Sequence, residues 1–227
     1  MKTGLFFGSF NPIHQGHLDI ANYMAGFTGL NKIWFIVSPQ NPLKEKNVLL
    51  DDHHRLKMVY LAVEDNKKMM GKSLEITANQ KDEIPRHVPV GARHRVYESI
   101  ELEHADIEFN LPQPSYTFNT LNYLKNKYPD GEFVLIIGSD NLSQFHKWKN
   151  YRQILDNHEL YVYPRPESDG GGLIDHCNVK LVDAPLIKIS SANIRKMISQ
   201  GNDVSKMLPE PVCHYIKEMR FYRSEKV

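Results

Sequence analysis

Apolar positions along the chain follow two rhythms that take turns. Short runs in which nearly every residue is apolar, LFFG (5–8), KIWFIV (32–37) and EFVLIIG (132–138), predict strands covered on both faces. Between them apolar residues return every three or four positions. That spacing predicts helices over HLDIANYMAGF (17–27), DDHHRLKMVYLAVED (51–65) and TFNTLNYLKNKY (117–128). The second helix opens with Asp at a capping position and places Leu56, Val59, Tyr60 and Val63 on one face. HELYVYPR (158–165) and VKLVDAP (179–185) read as further strands, with LEIT (74–77) and ADIEFN (105–110) as candidates. Polar SPQNPLKEKN (38–47) and Gly-rich ESDGGG (167–172) are loops, and SDNLSQFHKW (139–148) follows the strongest strand. SSANIRKMIS (190–199) and PEPVCHYIKEMRF (209–221) are the closing helices.

Strands that alternate with helices and are apolar on both faces imply an α/β fold. The expected form is a Rossmann-like, doubly wound, mostly parallel sheet with helices on both faces and right-handed connections. With no internal repeat and no change of composition, one domain over 1–227 is expected. Residues 79–104 fit neither rhythm and hold Pro85, Pro89 and Gly91, so they read as an atypical surface insertion. Residues 189–227 form its helical C-terminal part.

Composition changes this picture little. Of 227 residues, 41% are hydrophobic and 24% charged, as in ordinary globular chains. No apolar run approaches the roughly 18 residues that would span a bilayer, and the N-terminus lacks the pattern of a signal peptide. No membrane is expected as a partner. Two cysteines, Cys177 and Cys213, make no disulfide framework, so a reducing, cytoplasmic setting is expected. A net charge of +1 gives no bulk attraction to nucleic acid, and none is expected as a partner. Any anion site must gather positive charge locally.

Gly8-Ser9-Phe10-Asn11-Pro12-Ile13-His14-Gln15-Gly16-His17 does this. It leaves a strand and opens a helix, the geometry that binds phosphate in a doubly wound sheet. Gly8 allows close backbone approach, and the N–H groups near Ser9, Phe10 and the helix start can face phosphate oxygens. Gly16 leaves room between the two imidazoles. His14 and His17 admit three readings: metal ligands, structural hydrogen bonders, or donors to phosphate oxygens that gain charge during transfer. No third ligand stands at supporting spacing, so no metal site is assigned to protein side chains. Strand, Gly loop, paired His and helix together favour the donor reading, and the motif is neither GxxxxGK[ST] nor GxGxxG. It resembles the HxGH signature of the nucleotidyltransferase superfamily.

Near the other end, Ile189-Ser190-Ser191-Ala192-Asn193-Ile194-Arg195 can hold phosphate through its serines and N–H groups, with Arg195 one turn in. The alternative is an ordinary capped helix. The segment resembles the superfamily's ISSTxIR motif, which grips ATP phosphates; Ala192 stands where Thr is usual, so one hydroxyl is missing. Pro114-Ser115-Tyr116-Thr117 precedes a helix, and Gly138-Ser139-Asp140-Asn141 follows the strongest strand, where ligand loops lie. Asp140 can accept from a ribose hydroxyl or merely cap a helix. Trp148 can stack on a flat ring or belong to the core, and Arg165 can reach phosphate or end its strand at the surface.

PSYT, IIGSD and the following Trp together resemble the bacterial nicotinate mononucleotide adenylyltransferases over most of the chain, excluding about 79–104. That resemblance implies transfer of AMP from ATP to nicotinate mononucleotide. His14, His17 and Arg195 would be catalytic. Gly8, Ser9, Phe10, Lys44, Gly138, Asp140, Ser190 and Ser191 would serve ATP and its phosphates. Thr117, Trp148, Lys149 and Arg165 would serve nicotinate mononucleotide. Lys44 falls in Asn41-Pro42-Leu43-Lys44, which lacks the family's His. Mg²⁺ would be held mainly by ATP phosphates. Other acceptors, nicotinamide mononucleotide or phosphopantetheine, keep the same chemistry, and a binding module without turnover is the rival of another class. Self-association is left open. The expectation that carries all the others is spatial: His17 and Arg195 must share one anion pocket.

Overall fold

The structure is a computed structural model, and it describes residues 1–39, 49–79, 100–101 and 105–223. Its strands are β1 (Lys2–Gly8), β2 (Lys32–Val37), β3 (Ile100–Glu101), β4 (Glu132–Gly138), β5 (Leu160–Tyr163) and β6 (Val179–Leu181). Its α-helices are α1 (Gln15–Phe27), α2 (Asp52–Asn79), α3 (Thr117–Lys127), α4 (Ser139–Ser143), α5 (Tyr151–Asn157), α6 (Ser191–Ser199) and α7 (Glu210–Glu218). The strands form one sheet in the order β3-β2-β1-β4-β5-β6, and every pairing is parallel.

Successive strand residues point to opposite faces, so each apolar run feeds two cores. Phe6, Phe35, Val134, Ile136 and Tyr161 enter one core with residues of α1, α2, α6 and α7. Leu5, Trp34, Ile36, Leu135 and Ile137 enter the other with residues of α3 and α5. This double burial explains the near-continuous apolar runs, and the doubly wound expectation holds. The chain builds outward from β1 to β3, returns beside β1 as β4, and builds outward the other way. The order therefore reverses between β1 and β4, which is where open α/β sheets bind ligands.

Three local expectations fail, and one helix was not foreseen. LEIT (74–77) lies inside α2, not in a strand. Four apolar-rich residues cannot by themselves distinguish a strand from the end of a helix, and no Pro interrupts 52–79. ADIEFN (105–110) ends in a 3₁₀ turn over Ile107–Asn110. There Glu108 turns inward and accepts from the Thr120 hydroxyl at 2.7 Å, while Pro112 and Pro114 follow. Tyr60 is 51% exposed; the buried stripe of α2 is Arg55, Met58, Val59, Ala62, Val63 and Asn66. Helix α5 was not legible, since only Ile154 and Leu155 of its seven residues are buried. Residues 40–48, with Lys44, and most of 79–104 lie outside the described residues; Ile100–Glu101 within the latter forms β3.

Candidate active site

Gly8 ends β1 and Gly138 ends β4, side by side at the switch point. A cleft of about 520 Å³ opens there. It is lined by Ser9, His14, His17, Asp140, Arg165, Ser190, Ser191 and Arg195, among others. Residues nearly 180 positions apart in sequence thus meet, as the spatial expectation required.

The first loop is built by tight packing. Phe10 takes a left-handed φ of 44° and folds its ring back over Gly8, where a Cβ would come within 2.7 Å of it. A glycine is needed at 8 to let that ring in. Phe10 then lies edge-on to His17 at 5.1 Å, and His14 stacks on His17 at 3.7 Å. The backbone N–H of His14 donates to His17 Nδ1 at 3.2 Å. An accepting Nδ1 carries no proton, so neutral His17 bears its proton on Nε2 and can donate from there. His14 is almost wholly buried, and its pKa is pushed down to about 3 by that burial, with the Arg165 charge adding to the effect. It is a neutral imidazole at physiological pH, and its Nδ1 has no partner among the described residues.

Gly16 lines the cleft, and a Cβ there would lie 3.3 Å from the His14 ring. It would also run into Ile187 Cγ2, so the glycine lets α1 close against the 187 segment. Gly138 likewise makes space, for the Asp140 carboxylate and the Arg165 side chain. Those two form a long ion pair, 3.9 Å. Arg165 lies with His14 and Asp140 in the cleft, and its charge reaches His14.

At the second motif both hydroxyls have structural partners. Ser190 caps α6 by accepting from the Asn193 N–H, and Ser191 donates to the Pro12 carbonyl at 2.9 Å. Ser191 and Ala192, at the start of α6, line the cleft, and the first N–H groups of a helix have no partner within it. A backbone donor is indifferent to the missing Thr hydroxyl at 192. Arg195 donates through Nη1 to the Asn11 carbonyl at 2.7 Å, which ties α6 to the first loop.

The remaining predicted residues gather on the other side of β4. Trp148 is half-buried against Phe145 at 4.9 Å, and the Lys149 ammonium sits 4.4 Å above the Tyr116 ring, next to Thr117 at the start of α3. Thr117, Trp148 and Lys149 do not line the cleft.

Arg55 escaped sequence reasoning, because a lone Arg in a helical pattern reads as surface. It is fully buried. Its guanidinium donates to the carbonyls of Ser9, Ser38, Pro39 and Leu50 and pairs with Asp52. It pins the loop after β1 to the loop after β2. Ser139 was also missed; its hydroxyl accepts from the Arg165 N–H and donates to the Ser168 carbonyl.

A parallel sheet with imidazoles, an Arg and two N–H-rich loops at its switch point is the apparatus of a nucleotidyltransferase, and the chain belongs to the cytidylyltransferase-like family, whose model matches residues 5–197. Among its relatives is a Flavobacterium johnsoniae protein named "Probable nicotinate-nucleotide adenylyltransferase". It is 46% identical over 98% of this chain and 100% of its own length. A Bacteroides fragilis protein of the same name is 40% identical over 91% of this chain and 87% of its own. The solved Plasmodium falciparum nicotinic acid mononucleotide adenylyltransferase, complexed with NaAD, shares the fold with a TM-score of 0.71 over 97% of each chain, at 18% identity. No described helix is long and apolar enough to cross a membrane, and both cysteines are free.

Proposed function

We propose that this chain transfers the adenylyl group of ATP to nicotinate mononucleotide, giving nicotinate adenine dinucleotide and pyrophosphate in NAD biosynthesis. The names of relatives at up to 46% identity support the acceptor. The observation that carries the chemistry is the single cleft shared by His14, His17 and Arg195.

In this reading an acceptor phosphate oxygen attacks the α-phosphorus in line. The bond to the bridging oxygen breaks, and pyrophosphate leaves with the electron pair. A phosphate dianion needs no strong base, so the work is positioning and charge stabilisation. His17 donates from Nε2 to an oxygen that gains charge. His14, held neutral by burial, donates a single N–H and adds no charge beside it. Arg195, Arg165 and the α6 N–H groups offset repulsion between the two anions. Asp140 is the cleft's only carboxylate among the described residues, a donor set that suits Mg²⁺ held chiefly by phosphate oxygens and water. When bound, that ion would neutralise phosphate charge. Lys149 and the α3 start, with Trp148 beside them, offer a cation, free N–H groups and a flat ring to a pyridine carboxylate. The proposed unit for this activity is one domain over 1–227.

Pyrophosphate release from ATP, with nicotinate and nicotinamide mononucleotides side by side, tests the reading. Release should be faster with the acid; silence with both would overturn it. His17→Ala should keep the fold and lower kcat by about 10²-fold, the scale of a lost oxyanion donor. Undiminished turnover in that variant would remove His17 from the chemistry.

A further inference from the structure

Arg195, one of the two arginines that line the cleft, is held from outside its own helix. Its Nη1 donates to the main-chain carbonyl of Asn11, which is 1% exposed and three residues before His14. The Asn11 side chain is in turn gripped by the far end of the chain: the Tyr222 hydroxyl donates to Asn11 Oδ1 at 2.7 Å, across 211 positions. The Leu50 N–H reaches the same oxygen at 3.4 Å. Tyr222 itself does not line the cleft.

We infer that Tyr222 is a positioning residue for adenylyl transfer, whose hydroxyl fixes Asn11 so that the Asn11 carbonyl aims Arg195 at the phosphates. The inference rests on the transfer reading above. Three features support it. Tyr222 is packed against the core beside Phe221, which sits 4.7 Å from His54 and 5.8 Å from Tyr215, so the tail is anchored on α2 and α7. The His54 Nδ1 to Tyr215 hydroxyl contact, 2.8 Å, ties those two helices together beneath it. Tyr222 also takes a left-handed φ of 60°, which a non-glycine residue adopts at a cost and keeps where surrounding contacts impose it. The groups facing its hydroxyl are Asn11 and the charges of Arg195 and Arg55. Burial outweighs those two cations and holds the phenol far above its ordinary range, so it stays a donor. The Arg195 fork would otherwise swing on a flexible stem, and an anion clamp loses rate when its reach is no longer fixed.

The test uses the full chain, with Mg²⁺, ATP and nicotinate mononucleotide. Tyr222→Phe keeps the ring and deletes one donor. It should melt close to wild type and lose about fivefold in kcat/KM for ATP, the scale of one hydrogen bond, with KM for the mononucleotide unchanged. On an Arg195→Ala background the same change should cost nothing more, because the group it positions is gone. Should Tyr222→Phe not fold, Asn11→Ala gives the same comparison: it deletes the acceptor but keeps the carbonyl, and its loss should likewise vanish beside Arg195→Ala. Wild-type kinetics in these variants, or losses that multiply with that of Arg195→Ala, would overturn the inference. Calorimetric titration with inorganic pyrophosphate reads the tether without turnover. A wild type that binds pyrophosphate more tightly than Tyr222→Phe but is silent with every mononucleotide would sink the transfer reading and leave this one standing.

Discussion

His14 and His17 are stacked imidazoles with different duties, and burial assigns them. With its pKa near 3, native His14 refuses a proton that the unfolded chain accepts below about 6.5. A depressed native pKa means stability is intact above the ordinary value and is lost as pH falls toward about 3, by up to about 1.4 kcal/mol per pH unit for one proton. His14→Gln should therefore show a shallower loss of melting temperature between about pH 6 and about pH 4; equal slopes would mean that His14 is not the group involved. Glu108 behaves oppositely. Burial raises its pKa against hydrogen bonds from Thr120 and Ser38. Its contribution is intact below the ordinary carboxylate range and fades as pH rises through the native value. Glu108→Gln keeps the shape without the charge and should melt higher than wild type at alkaline pH, with the gap closing in acid. A constant gap at every pH would argue against a raised carboxyl.

Elements meet here through glycines whose missing Cβ is filled by a neighbour. Helix α1 closes on the 187 segment because Gly16 leaves room for Ile187. Gly16→Ala should cost about 1–3 kcal/mol as an overpacking change, read by denaturant unfolding. Ile187→Leu in the same chain should return part of that loss, since leucine lacks the β-branch methyl that the new Cβ would meet. No recovery would place the strain elsewhere. Arg55 plays the converse part, filling the junction of two loops with donors. Arg55→Ala should destabilise by roughly 3–5 kcal/mol, because it strands several buried carbonyls.

Across the whole molecule, the two ends of the sheet do different work. The carboxyl ends of β1 and β4 carry the cleft, while the amino ends carry an ion cluster. Lys2 pairs with Glu132 at 3.0 Å and with Glu159, and Lys180 reaches Glu159 at 2.6 Å. Burial works to raise the Glu159 carboxyl, but hydrogen bonds from Lys180 and Lys2 hold it below its usual range. Glu159→Gln should lower stability by about 1 kcal/mol, a partly exposed network being worth little more. It should leave kcat for pyrophosphate release unchanged. A fall in kcat would mean that the two ends are mechanically coupled.

What the sequence determined by itself was whatever is written in short range. Near-continuous apolar runs give β1, β2 and β4, and period-three-to-four spacing gives most helices, because burial on two faces or on one leaves a pattern that local residues display. HQGH and ISSANIR were legible because a phosphate loop needs its glycines, imidazoles and capping serines close together in the chain. Only tertiary structure decided the rest. Whether LEIT was helix or strand depended on what came before it, and ADIEFN was turned inward by a distant threonine. The close packing at Gly16 was set by Ile187, and the burial of Arg55 by carbonyls from two loops. Arg165 was carried to the histidines by the β4–β5 pairing. The link from Tyr222 through Asn11 to Arg195 spans nearly the whole chain and has no local trace, since a contact between distant residues leaves no periodicity in either.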